Sequence, residues 1–122
     1  LGDVYKRQSQ PCPDLVRIVE RGELSNRDVV FAALHKYFDE YDLDSIDSVV
    51  LGCTHFVFYR DYFREFLPAR TNIVDGNEGT INHLRKILEL NNELASDSQE
   101  GSITLTNSDT SLRMQQLAKS LC

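Results

Sequence analysis

Gly52-Cys-Thr-His55 gathers a thiol, a hydroxyl and an imidazole in four consecutive residues, directly after the apolar run Val49-Val-Leu51. A free thiol ionises near ~8.5, and an imidazole or a helix N-terminus beside it lowers that value toward neutral pH. A thiolate so placed can serve as the base for a carbon acid, and backbone N–H groups at the start of a following helix can hold an anion at the same spot. The plainer reading of Cys53 and His55 is a small packed cysteine beside a hydrogen-bonded histidine. A position at the carboxyl end of a strand favours the chemical reading, because open parallel sheets carry their ligand chemistry there.

Other chemistries fit the spacing less well. A cysteine-dependent phosphatase keeps its phosphate-binding arginine within the loop that follows the cysteine, whereas Arg60 falls beyond that loop and on an expected helix. Zinc takes about four ligands, and Cys53 with His55 would need partners from Cys12, His35, His83 or Cys122, all in unrelated contexts, so no metal is expected. His35 and His83 read as surface or interface residues, Cys12 between two prolines as a packed turn residue, and Cys122 as an inert terminal one. Asp75-Gly-Asn-Glu-Gly-Thr80 could cradle a phosphate, but it lacks the known glycine spacings and its two acids oppose an anion. It reads better as a strand-to-helix turn.

The flanking pattern supplies a scaffold for these residues. Pro13, Asp14, Leu15, Ile18 and Val19 predict a helix that stops at Gly22. Ser25, with Asp28 three positions on, is expected to cap a second helix with an apolar stripe through Val29, Val30, Ala33, Leu34, Tyr37, Phe38 and Tyr41. The acids from Asp39 to Asp47 oppose the macrodipole at a helix C-terminus, so this helix should end near Tyr41. Ser48 to Gly52 predicts a strand buried on both faces, and Asn72 to Asp75 another, with a helix through Phe56, Tyr59, Phe63 and Phe66 between them. A polar loop from Gly76 to Thr80 leads to a helix marked by Ile81, Leu84, Ile87, Leu88 and Leu94. After a polar linker, Ile103 to Thr106 predicts a third strand, and Ser108 is expected to cap a terminal helix with Leu112, Leu117 and Leu121 facing inward. The alternation predicts an α/β fold of parallel βαβ units.

Composition narrows the function classes. The 122 residues are 41% hydrophobic and 26% charged, in the range of one small domain. The longest stretch without Asp, Glu, Lys or Arg, Ser48 to Tyr59, is twelve residues, short of the ~18 that a membrane-spanning helix needs, so no membrane partner is expected. Nineteen acids against thirteen bases give a net charge of -6, which repels phosphate backbones and argues against nucleic acid. Three cysteines cannot pair completely and fit a reducing cytoplasm. Leu1 to Gln8, with no initiator Met and no clear period, reads as a scar of cloning or assembly.

Gly52-Cys-Thr-His-Phe56 resembles the Gly-Cys-Thr-His-aromatic motif of the glutamate racemases, in the aspartate/glutamate racemase superfamily. Pro11-Cys-Pro13 with Val19-Glu20 resembles the family's Cys-Pro…Val-Glu segment, and Asp75 to Thr80 its Asp-x-x-x-x-Thr turn. Thr106-Asn-Ser-Asp109 resembles its final Thr-Ser-Gly-Asp turn, with Asn107 and Ser108 as departures, and Val57 stands where many members have Pro. The resemblance runs from Gln10 to Leu121 in the family's order.

What it implies is a cofactor-independent racemase in which two cysteines, one from each of two α/β domains, flank the α-carbon of glutamate and interconvert its L and D forms. Cys53 matches one of these bases, His55 the residue that tunes its thiol, Glu20 the acid that assists, and Thr54 a substrate-binding residue. The family supplies D-glutamate for peptidoglycan in the bacterial cytoplasm, and a homodimer is implied at full length. The family's other cysteine and its partnering Asp lie in an N-terminal half, and Cys12 matches the Cys-Pro position instead. The expected organisation is therefore an incomplete, C-terminal part of such an enzyme, inactive by itself. Residues 9–75 would form the second half of the catalytic α/β domain with Cys53, and residues 76–122 a segment returning to complete the first domain. A non-catalytic α/β binding or interaction domain, with Cys53 only structural, is the alternative.

Overall fold

The computed structural model describes residues 7–96 and 98–121; most of the expected N-terminal scar and Cys122 lie outside them. Helix α1 (Pro13–Arg21) starts on a proline, whose fixed φ suits the first helical turn. It ends at Gly22, whose φ of 73° is left-handed and lets the Gly22 and Glu23 N–H groups return to the Val19 and Ile18 carbonyls. Helix α2 (Arg27–Phe38) packs Val30, Ala33, Leu34 and Phe38 against Leu15, Ile18 and Val19 of α1. Its cap is Asn26 rather than the expected Ser25: the Asn26 side chain accepts from the Val29 N–H at 3.3 Å, and a preceding turn from Glu23 fixes Asn26 as the entry point. The helix stops at Phe38, three residues short of Tyr41.

Strand β1 (Ser48–Val50) lies parallel to β2 (Asn72–Val74), with Ser48 opposite Asn72 and Val50 opposite Val74. Between them a 3-10 turn (Phe56–Tyr59) leads into α3 (Arg60–Phe66), so the expected single helix is built in two pieces. Leu51, Tyr59, Phe63, Leu67 and Ile73 complete the core begun by α1 and α2. Tyr59, fully buried, donates its hydroxyl to the Leu15 carbonyl at 2.5 Å and so ties the turn after β1 to α1. The parallel α/β class expected from the alternation is what forms.

Five expectations are corrected. The sheet of the described residues has two strands, covered on one face: Ile73 is buried, but Val50 is 69% exposed, so β1 is not buried on both sides. Ile103 to Thr106 forms no strand, and Ile103 is 87% exposed, because an extended segment without a ladder partner gains nothing for its backbone N–H and C=O groups. The expected loop from Gly76 is already helical: α4 (Asn77–Asn91) begins there, with Asp75 accepting from the Asn77 N–H at 3.0 Å. Helix α5 (Leu112–Ser120) is capped by Ser111 rather than Ser108, since Asn107 and Asp109 hold the preceding residues in side-chain-closed turns. Neither α4 nor α5 carries a buried residue, and Leu112 is exposed rather than inward.

Candidate active site

Cys53 emerges from the carboxyl end of β1 into a tight turn. The Leu51 N–H donates to the Val74 carbonyl at 2.8 Å, which holds the strand end, and the Phe56 N–H donates back to the Cys53 carbonyl at 3.0 Å. That second bond, with a weaker one from the Phe58 N–H to the His55 carbonyl, occupies two of the N–H groups expected to greet an anion. The turn is thus closed on itself. Its side chains are what it presents.

The Cys53 Sγ lies 3.9 Å from Nδ1 of His55. The other ring nitrogen, Nε2, lies 3.9 Å from Oε1 of Glu20, near the C-terminal end of α1. Thiol, imidazole and carboxylate therefore stand in one line, although Glu20 is 35 positions from His55 in sequence. The imidazole can take a proton from the thiol on one side while the carboxylate steadies the resulting cation on the other. Cys53 and His55 are half-buried, whereas Glu20 and Thr54 are exposed at the rim. Thr54 stands beside Cys53 on the turn, outside this line of contacts.

Cys12 is chemically the opposite of Cys53. It is 4% exposed at the start of α1, and burial, reinforced by the nearby Asp14 charge, pushes its thiol up to about 11. A thiol held protonated in the core is no base at neutral pH, which agrees with its reading as a packed turn residue. His35 is exposed, with Nδ1 2.7 Å from Asp39. Among the described residues no group of three or more His, Cys, Asp or Glu could hold a metal ion.

Sequence reasoning set Arg60 aside and passed over Arg113, and the fold brings both to this region. Arg60, at the start of α3, pairs with Asp75 at the carboxyl end of β2, joining the helix that follows the Cys53 turn to the neighbouring strand. Arg113 of α5 donates to the backbone carbonyl of Glu20 at 2.8 Å. Neither pair has a local signature, because 15 and 93 residues separate the partners.

No family model matches the chain. Individual proteins do. A protein of Bifidobacterium adolescentis named glutamate racemase is 64% identical over 112 residues, covering 92% of this chain and 43% of that protein. By sequence the chain is similar to part of the glutamate racemases. The glutamate racemase of Bifidobacterium animalis subsp. lactis is 58% identical over 98% of the chain, and that of Clostridium botulinum 36% identical over 88%. The chain spans less than half the length of these relatives. In fold it is similar to the crystal structure of glutamate racemase from Thermus thermophilus in complex with beta-chloro-D-alanine, with a TM-score of 0.73 and 24% identity over 92% of this chain and 42% of that one.

Proposed function

We propose that this chain supplies one of the two proton-transferring thiols of a glutamate racemase. The observation that supports this most is the line from the Cys53 Sγ through His55 to Glu20, at 3.9 Å and 3.9 Å, in a chain 64% identical to a protein of that name. His55 draws the Cys53 proton toward Nδ1 and the thiolate takes the α-proton of glutamate: the C–H bond breaks and an S–H bond forms. A second thiol, outside this chain, gives its proton to the opposite face of the α-carbon. Glu20 steadies the imidazolium, and Thr54 offers its hydroxyl to the polar groups of the substrate. No cofactor is needed for this exchange.

The rest of the reading follows from it. The D-glutamate would feed peptidoglycan synthesis in the cytoplasm, and the complete enzyme would be a homodimer. Residues 9–75 would be the catalytic half-domain and 76–122 a segment returning to the other domain. The confinement of the buried apolar residues to Cys12 through Ile73 favours that division. A non-catalytic domain with a structural Cys53 is disfavoured, because a merely structural cysteine needs no half-exposed position facing an imidazole backed by a carboxylate.

The test uses the full-length protein that contains this chain. Glutamate should racemise without pyridoxal phosphate or metal, with α-deuterium entering from deuterated water, and Cys53→Ala should abolish turnover from both enantiomers. A Cys53→Ala protein as active as its parent would overturn the proposal.

A further inference from the structure

We infer that Arg113 is a positioning residue for Glu20, acting from α5 on the end of α1; the inference rests on the racemase reading above. The Glu20 carbonyl belongs to the last turn of α1, where carbonyls have no intrahelical N–H partner. Gly22 and Glu23 return to Val19 and Ile18, and the Arg113 Nη2 takes the Glu20 carbonyl at 2.8 Å. The bond is charge-assisted, and a cation at a helix C-terminus is favoured by the macrodipole.

The placement of Arg113 on its own helix points the same way. It is the second residue of α5, in a first turn that carries no acid, where the positive helix end disfavours a cation. Asp109, just before the helix, offsets part of that cost, and the guanidinium reaches past it to the negative end of α1. The positive end of one helix thereby meets the negative end of the other through a single side chain. The remaining contact is sparse: Leu117 approaches Gly22, and Leu121 packs on the core, across an open groove of about 410 Å³. With so little packing, the Arg113 bond is the directional link between α5 and the helix that carries Glu20. Because the side chain of Glu20 is 60% exposed, its own surroundings hold it loosely, and Arg113 adds a fixed point at the end of α1 to the core packing of Leu15, Ile18 and Val19.

The experiment is a double-mutant cycle in the full-length protein, with glutamate racemisation followed by circular dichroism from both enantiomers. Arg113→Met should lower kcat about two- to fivefold, as expected for a helix-terminal charge contact, and Arg113→Lys should recover most of that loss. Glu20→Gln should lower kcat further, and adding Arg113→Met to it should change nothing more, since the residue being positioned is then already silent. Thermal melts identify any variant that is not folded, and Arg113→Lys supplies the answer if Arg113→Met is one of them. Multiplicative losses in the double variant, or unchanged kcat and pH profile in Arg113→Met, would overturn the inference. A Glu20→Gln enzyme as fast as its parent would also overturn it, while loss of activity in Cys53→Ala would leave the racemase reading standing.

Discussion

Iodoacetamide added to the folded protein is expected to modify Cys53 and spare Cys12. The Cys12 side chain sits in the core at 4% exposure, its Sγ 3.4 Å from the Gln10 carbonyl, and its thiol is pushed up to about 11. Alkylation proceeds through the thiolate, and a thiol lifted from 9.0 to about 11 leaves roughly 100-fold fewer thiolates at neutral pH. Exclusion of the reagent from the core slows Cys12 further, so its labelling should wait on opening of α1. Cys53 is half-buried on a surface turn with His55 beside it, where the reagent can reach the sulfur. Timed quenching, digestion and mass spectrometry resolve the cysteine-containing peptides, and the same reaction in urea supplies the unfolded rate for each. Cys12 should accelerate by at least two orders of magnitude on unfolding. Labelling of native Cys12 within tenfold of Cys53, or no acceleration in urea, would refute the contrast between a buried protonated thiol and an accessible one.

Other perturbations read the scaffold around the site. Tyr59→Phe removes the hydroxyl that serves the Leu15 carbonyl and should cost about 1–2 kcal/mol, seen as a lower urea midpoint at unchanged slope. Gly22→Ala forces a side chain into a left-handed φ of 73° and should cost about 1 kcal/mol by the same assay. Acid unfolding should involve Asp14, whose hydrogen bonds from Lys36 and then Tyr37 hold its carboxyl down to about 2. A lowered folded value contributes stability above the usual carboxylate range that is lost as pH falls from about 4 toward 2, and Asp14→Asn should flatten that limb. Cys12 has the opposite sign: its raised value contributes stability below about pH 9 that is lost as pH rises toward 11, and Cys12→Ala should flatten the alkaline limb.

Much of the scaffold was legible in order along the chain, because its signals are carried by neighbours. Proline at the first turn and glycine at the left-handed end bound α1 in sequence and in space, and the β-branched runs at Ser48 and Asn72 locate both strands. The Cys53 turn was legible for the same reason: thiol and imidazole are two residues apart, and any tight turn brings them together. Local signals failed where two neighbours offered the same chemistry. Ser25 and Asn26 can both cap a helix, and only the preceding turn from Glu23 selected Asn26. They failed again at Ile103, where a strand-like run found no ladder to join.

The remainder of the site depends on docking. Glu20 faces His55 because Leu15, Ile18 and Val19 seat α1 on α2 and the Tyr59 hydroxyl bolts the Cys53 turn to α1. The pairs Arg60 with Asp75 and Arg113 with the Glu20 carbonyl exist only once strands and helices have been brought side by side. The types and order of the reactive groups thus follow from the sequence alone. Their line of approach does not, because hydrogen bonds and ion pairs act over a few ångströms, and residues dozens of positions apart meet at that range only through the burial of the apolar faces between them.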